Sequence, residues 1–404
     1  MTALAGLKVV DLTHIMAGPT CTLMLADMGA DVIKVEKVPG GDDTRRSVPP
    51  TVGSESAAFM MMNRNKRGIA LDLRSEGGKR VLHRLLEGAD VLVENYRRDT
   101  IEKLGFGYEA LRQRHPGLIY CSISGFGRTG PYSGRGGFDL VAQAMSGIMS
   151  ITGTRKGDPP VKCGPPLTDI TAGLLATMGI LAALHHRSRT GEGQLVDTSL
   201  LEAGIVQTYW QSAMTFATGD PPGPLGSAHP LNAPYQAFET ADGWIVVGGA
   251  NQRAWLRLLE VLGAPEIAED PRFKDNPGRM AHLAELEAAL APHFKRRPSA
   301  EWLEMFDEAG MPAGPVYDIA QMHADPQVRA RDMVVEVPHA KLGPVPTLGL
   351  PVKFSRTPGG PQRGAPLYGQ HGREVLQEHG FSAQEIEELF ASGAVVSETE
   401  RSAS

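Results

Sequence analysis

Asp169 stands in the stretch Gly164-Pro165-Pro166-Leu167-Thr168-Asp169-Ile170-Thr171, directly ahead of a long apolar run. Two roles are open to a carboxylate placed there. Asp is a favoured helix N-cap, because its side-chain oxygen accepts from the unpaired N–H groups of the first turn. Those same N–H groups and the helix dipole also favour the ionised form, and an ionised carboxylate in a cleft can attack an activated acyl group as a covalent nucleophile. His14 follows the first apolar strand, at the sheet edge where open α/β folds bind ligands; its plainer reading is packing or hydrogen bonding within that turn. His185 and His186 fall at the far end of the apolar run, where a cation complements a helix C-terminus. No pair of His at i, i+4 with a carboxylate is present, so no metal site is expected. Lys37, Arg45, Arg46, Arg64, Lys66, Arg67, Arg74 and Lys103 lie near strand ends and loops where phosphate can be met. Taken singly, each reads as a solvated surface charge.

The segment Gly125-Phe126-Gly127-Arg128-Thr129-Gly130 has the spacing G-x-G-x-x-G. A dinucleotide fingerprint should open a helix. This one runs into Pro131-Tyr132-Ser133-Gly134, and the first turn, Thr13 to Pro19, lacks the glycine spacing. It reads as a glycine-rich loop at a strand's C-terminal end.

The elements that must position these groups alternate. Leu7–Thr13 is an apolar β-branched run, followed by a helix over 19–28 with Pro19 in its first turn and Gly29 at its end. Asp31–Lys37 alternates as a strand. Gly68–Leu73, a helix capped by Ser75, Asp90–Tyr96, a helix through 108–115 and Leu118–Phe126 continue the pattern. Such alternation predicts an α/β fold with a parallel sheet. The apolar run from Ile170 to Leu184 contains Gly173, Gly179 and many Ala, and reads as a buried helix. A Pro/Gly cluster at 219–230 reads as a linker between a large domain, 1–218, and a smaller α+β domain, 231–325. The remainder, 326–404, returns to complete the large domain.

The chain has 404 residues, 42% of them hydrophobic, enough for two or three domains with a sizeable core. With 40 Lys+Arg against 46 Asp+Glu, no basic excess points to nucleic acid. Cys21, Cys121 and Cys163 are too scattered for a disulfide framework or zinc cage, which fits a reducing compartment. The N-terminus lacks a signal-peptide pattern, and the apolar run is shorter than the roughly 20 residues a bilayer needs. A soluble, cytoplasmic protein without a membrane partner is expected.

Several blocks together resemble the class III CoA-transferase family, the group containing formyl-CoA transferases, carnitine CoA-transferase and α-methylacyl-CoA racemase. They are LKVVDLTHIMAGPTCTLMLADMGADVIKVEKVPGGDDTR, MNRNKRGIALDL, DVLVENYRRDTIEKLGFGYEAL, SGFGRTGPYSGRGGFDLVAQAMSG and PPLTDITAGLLATMGILAALHHRSRTGEGQLVDTSL. HPLNAPYQAFETADGWIVVG and GMPAGPVYDI carry the likeness into the smaller domain. The resemblance implies a Rossmann-like large domain plus a small domain, in a homodimer of interlocked chains. It implies acyl-CoA and carboxylic acid substrates and no permanently bound cofactor or metal. Asp169 matches the family's nucleophile. CoA contacts carried over by motif fall on Ile15, Met16, Ala17, Lys37, Leu71, Asp72, Leu73, Arg74, Asn95, Tyr96 and Lys103. Gly136 and Gly137, beside Phe138, are the candidates for backbone oxyanion donors. Lys at 37 and 103, where relatives often carry Arg, still neutralises phosphate but loses a bidentate fork.

Within that family, racemases place a His before the Asp of the Gly137-Phe138-Asp139 triplet and a Glu in the small domain. Phe138 stands here instead, and the small-domain strand runs Gly248-Gly249-Ala250-Asn251-Gln252. Phe and Asn cannot exchange an α-proton, so transfer is expected over epimerisation. Gly248-Gly249 is shorter than the mobile glycine run of formyl-CoA:oxalate transferases. The small-domain blocks look more like the branch that moves CoA from succinyl-CoA to another dicarboxylate. The mechanism implied passes through an aspartyl–acyl anhydride and an aspartyl-CoA thioester.

Overall fold

A computed structural model describes residues 1–249 and 251–398. Ala250 and the last residues of the return segment, 399–404, lie outside the described residues. The chain forms two compact units, one from residues 1–147, 163–207 and 326–404, the other from 148–162 and 208–325. The second unit therefore begins before the 219–230 cluster and includes it. That cluster marks a helix end: Gly219, at φ 78°, terminates the helix Tyr209–Thr218. A boundary drawn from Pro and Gly content alone falls too late. The return to the first unit comes at Pro326.

In the first unit six parallel strands, β1 (Lys8–Asp11), β2 (Asp31–Lys37), β3 (Arg67–Leu71), β4 (Val91–Glu94), β5 (Ile119–Ser124) and β6 (Leu195–Ser199), lie in the order β3-β2-β1-β4-β5-β6. Val395–Val396 adds an antiparallel edge, Val395 opposite Leu71. Successive strand residues face opposite sides of a sheet, so each central strand feeds two cores. Val10, Ile33 and Leu92 pack on one side with Leu82, Leu85 and Leu376. Val9, Val32, Val91 and Val93 pack on the other, against the helices α1 (Ala17–Asp27) and α2 (Leu167–Thr190). Strand order reverses between β1 and β4, and the carboxyl ends at such a reversal open a crevice.

Helix α2 is 24 residues long, longer than the apolar run because polar residues extend it to Thr190. By length and composition alone it is apolar enough to cross a membrane, a test that core helices also pass. It is not buried all round, as the composition suggested. Ala172, Gly173, Ala176, Ile180 and Ala183 form the buried face, while Leu174 and Met178 are 46% and 62% exposed. Gly173 sets the approach to α1: a Cβ there would lie 2.6 Å from the Ala17 carbonyl oxygen.

The second unit carries an antiparallel sheet, with Trp244–Gly248 between Tyr235–Glu239 and Ala313–Pro315. Helices Gln252–Leu262, Leu283–Phe294 and Ser299–Glu308 cover it with Trp255, Phe294, Trp302 and Phe306.

Candidate active site

The crevice at the β1–β4 reversal holds a cavity of about 370 Å³. Its walls are the turn after β1 (His14, Ile15, Met16, Ala17), the segment after β4 (Asn95 to Arg98), the glycine-rich loop after β5, and Asp139 and Asp169.

The turn after β1 rests on a buried ionic network. Asp11, Lys34, Asp42 and Lys66 are each 0% exposed. Lys66 Nζ is 3.1 Å from Asp11, and Lys34 Nζ is 2.9 Å from Asp42 and donates to the Thr13 carbonyl. Burial alone would raise Asp11. Lys66, Lys34 and the hydroxyls of Thr13 and Thr22 outweigh it and hold the carboxyl at about 2. Above this network Asn95 grips the backbone of His14 twice, accepting from its N–H at 2.9 Å and donating to its carbonyl at 2.8 Å. The Ile15 N–H donates to Asp42 at 3.2 Å. These bonds hold Ile15 at φ 68°, a left-handed conformation costly for a β-branched residue. His14 Nε2 lies 3.3 Å from the Tyr96 hydroxyl. Burial, then the nearby Lys34, lowers its pKa, favouring the neutral ring.

Asp169 is the third residue of α2, not its cap. Pro166 occupies the N-cap position and offers no side-chain bond. The cap comes from elsewhere: Asp139 Oδ1 accepts from the Thr168 N–H at 3.0 Å and the Thr168 hydroxyl at 2.8 Å. Gln143 donates to the other Asp139 oxygen at 2.7 Å. The Asp169 carboxylate is thereby left without a hydrogen bond among the described residues, facing the cavity. Burial, reinforced by the like charge of Asp139, pushes its pKa up to about 6. That is opposite in sign to the expected stabilisation by the helix N-terminus, yet it leaves the group mostly ionised at neutral pH.

The glycine-rich loop is loop throughout, and one close approach requires glycine at two of its positions. A Cβ on Gly137 would lie 2.5 Å from the Gly125 Cα. The N–H groups of Gly136 and Gly137 have no partner among the described residues, and both residues line the cavity.

Of the residues read from sequence, Ile15, Met16, Ala17, Lys37, Asn95, Tyr96, Gly136, Gly137, Phe138 and Asp169 line this one cavity. Leu71, Asp72, Leu73, Arg74 and Lys103 do not. Leu71 is buried in the core, Asp72 accepts from the Arg74 N–H, Leu73 packs on the core edge, and Lys103 is exposed at the end of the helix Thr100–Lys103. Asn251 caps the helix Gln252–Leu262 through the Ala254 N–H. Sequence reading passed over Asp139 as part of this site, although Asp139 and Gln143 at i, i+4 were a visible pair. It also passed over Arg97, Arg98 and Arg135. Among the described residues no group of three His, Cys, Asp or Glu could hold a metal.

A family model, CoA-transferase family III, matches residues 4–372. The succinyl-CoA:glutarate CoA-transferase of Mus musculus is 38% identical over 98% of this chain and 91% of its own. The succinate–glutarate CoA-transferase of Agrobacterium fabrum is 41% identical over 93% and 95%. The crystal structure of a CaiB/BaiF family protein from Brucella suis superposes with a TM-score of 0.84 at 39% identity, covering 94% of this chain and 99% of that one.

Proposed function

The chain belongs to CoA-transferase family III, and we propose that it moves CoA from succinyl-CoA to a small dicarboxylic acid with Asp169 as the covalent carrier. The observation that carries the proposal is the Asp169 carboxylate, unbonded in the cavity because Asp139 has taken over the cap. Its oxygen attacks the thioester carbonyl. A C–O bond forms, the C–S bond breaks, and CoA leaves as thiolate, giving a mixed anhydride. The thiolate then attacks the aspartyl carbonyl, releasing the donor acid as carboxylate and leaving an aspartyl-CoA thioester. An acceptor carboxylate repeats the first step on this thioester, and the returning thiolate takes the new acyl group and restores Asp169. Every intermediate is an activated acyl group, so no step needs outside energy or net proton transfer. The N–H groups of Gly136 and Gly137 are suited to the tetrahedral oxyanions.

The dicarboxylate assignment rests on the two relatives named for glutarate. Epimerisation is disfavoured by Phe138, which faces the cavity with no group able to take a proton. The protein acts as a homodimer of interlocked chains in this reading. The family resemblance supports it, as do apolar side chains open on the first unit, Leu140, Met145, Leu174, Met178 and Ile205. Sedimentation at nanomolar concentration should then show no folded monomer.

The deciding experiment incubates the protein with succinyl-CoA and isotopically labelled succinate. Label should enter the thioester pool, and glutarate should yield glutaryl-CoA by mass. Absence of both exchange and product would overturn the proposal, and deuterium uptake at the α-carbon would favour an epimerase.

A further inference from the structure

The return segment holds a separate cavity of about 220 Å³, whose walls include His339, Arg363, Gly364, Gln370 and His371. It shares no lining residue with the cavity that holds Asp169, and none of its lining residues is acidic. Its walls come from two places. His339 ends the strand Val334–His339 of a hairpin, and the Gly364 N–H donates to the Pro338 carbonyl at 2.8 Å, which lays the 363–365 stretch along that hairpin. His371 sits against β3, donating its N–H to the Gly68 carbonyl at 2.8 Å and accepting from the Gly68 N–H on Nδ1 at 3.0 Å.

These bonds fix which ring nitrogens carry protons. His371 Nδ1 accepts from Gly68, and His339 Nδ1 accepts from the Lys341 N–H at 3.3 Å. A neutral imidazole that accepts on one nitrogen carries its proton on the other, and burial lowers the pKa of both rings, favouring the neutral form. Each ring therefore presents an Nε2–H with no partner among the described residues. His339 is only 5% exposed, so its unmet donor is costly unless something accepts from it. That edge of the ring is open because residue 364 is Gly: a Cβ there would lie 3.1 Å from His339 Cδ2. A protonated Nε2 cannot ligate a metal, whose His ligands donate through their other nitrogen, so the pair calls for an acceptor.

The remaining polar groups agree. Gln370 commits its Oε1 to the Leu367 N–H at 2.8 Å and keeps its NH2 free to donate. The exposed Arg363 side chain has no hydrogen bond or ion pair among the described residues, and its charge opposes protonation of His371. Nearby carboxylates already have cations: Glu55 has Lys341 and Glu374 has Arg67. In a neighbouring cavity that Arg363 also borders, Asp27 has Arg64 and Asp31 has Arg67. We propose that the cavity binds a tetrahedral oxyanion of the phosphate class, held by His339, His371, Gln370 and Arg363. Donors converging from separate points suit the several oxygens of such an ion, and the Arg363 charge strengthens its bond. The volume lies below the usual range for organic ligands, about 300–1,000 Å³. An ion bonded to both the hairpin and His371 stabilises the folded chain by mass action.

The test is a thermal melt of the full chain in rising inorganic phosphate, against sodium chloride at equal ionic strength, with CoA saturating throughout. The melting temperature should rise with phosphate to a plateau and stay lower in chloride. Arg363→Gln, at an exposed position, should raise the half-saturating phosphate concentration by about 10-fold, the scale of one charge-assisted bond. His339→Phe keeps a ring but removes the donor, and should do the same. Absence of a saturable shift in the wild type overturns the proposal. So does a shift unchanged in Arg363→Gln, or one seen only when CoA is left out, since phosphate is then entering the cavity that holds Asp169. Succinate that stabilised as well as phosphate, with the same dependence on Arg363, would overturn the phosphate-class assignment in favour of a carboxylate. Should His339→Phe fail to fold, Arg363→Gln decides alone.

Discussion

Asp139 bonds Thr168 through both the backbone N–H and the hydroxyl, at 3.0 and 2.8 Å. That arrangement separates capping from chemistry. One carboxylate satisfies the start of α2, so the next residue, Asp169, can face the cavity uncommitted. It also leaves the charge of Asp139 close enough to reinforce burial in raising the pKa of the uncommitted Asp169 to about 6.

The pH profile should report this. Protonated Asp169 is no nucleophile, so kcat/KM should fall as pH drops through about 6. In Asp139→Asn the amide oxygen can still accept from Thr168, but the like charge is gone. The acid limb should move to lower pH, without returning all the way to the ordinary 3.8, because burial is the larger cause. The measurement is the pH dependence of succinyl-CoA:glutarate exchange in both proteins. An unmoved limb would show that the two carboxylates are not coupled.

Asp169→Asn should reduce transfer by about 10⁴-fold or more, as removal of a covalent nucleophile does. The protein should stay folded and be no less stable than wild type by urea titration, since the side chain makes no hydrogen bond among the described residues and its raised pKa marks the buried charge as a cost to folding at neutral pH. Wild-type protein given acyl-CoA should form an adduct at Asp169 that hydroxylamine or borohydride traps. Mass spectrometry must first exclude deamidation back to Asp. Transfer at near-normal rate in a verified variant would remove Asp169 from the mechanism.

Much of the first unit is readable from local pattern because β1 to β5 are short apolar runs separated by helices with Ser, Pro or Gly at their ends. The place of Asp169 at the start of α2 and the glycine-rich loop after β5 are readable for the same reason. The cap is not, because Asp139 and Thr168 are 29 positions apart and only folding brings them together. The 208 boundary escapes because the helix ahead of Gly219 buries none of its side chains and leaves no amphipathic signal of which core it serves.

The network beneath the β1 turn yields a stability prediction. Lys66→Met leaves Asp11 buried without its nearest cation, which should cost about 3–5 kcal/mol. Adding Asp11→Asn should recover part of that loss, since a neutral pair no longer strands a charge. Asp11 is held at about 2 when folded, against about 3.9 unfolded. Its contribution should therefore be complete above pH 4 and disappear as pH falls through 2. Urea unfolding of the two variants and an acid titration of the wild type check both statements.

Gly137→Ala tests the loop contact. The new Cβ would lie 2.5 Å from the Gly125 Cα, and backbone cannot swing aside as a side chain tip can. Relieving that overlap should cost about 1–3 kcal/mol. The larger effect should fall on catalysis. Moving residue 137 shifts an N–H that we propose for the oxyanion, and loss of one such donor lowers kcat by about 10²–10³-fold. KM for the CoA thioester should change less, because Lys37, Asn95 and Tyr96 belong to other segments of the cavity wall. Steady-state kinetics beside a thermal melt separate the two effects. A kcat loss no larger than the loss of folded protein would mean that Gly125 and Gly137 serve packing alone.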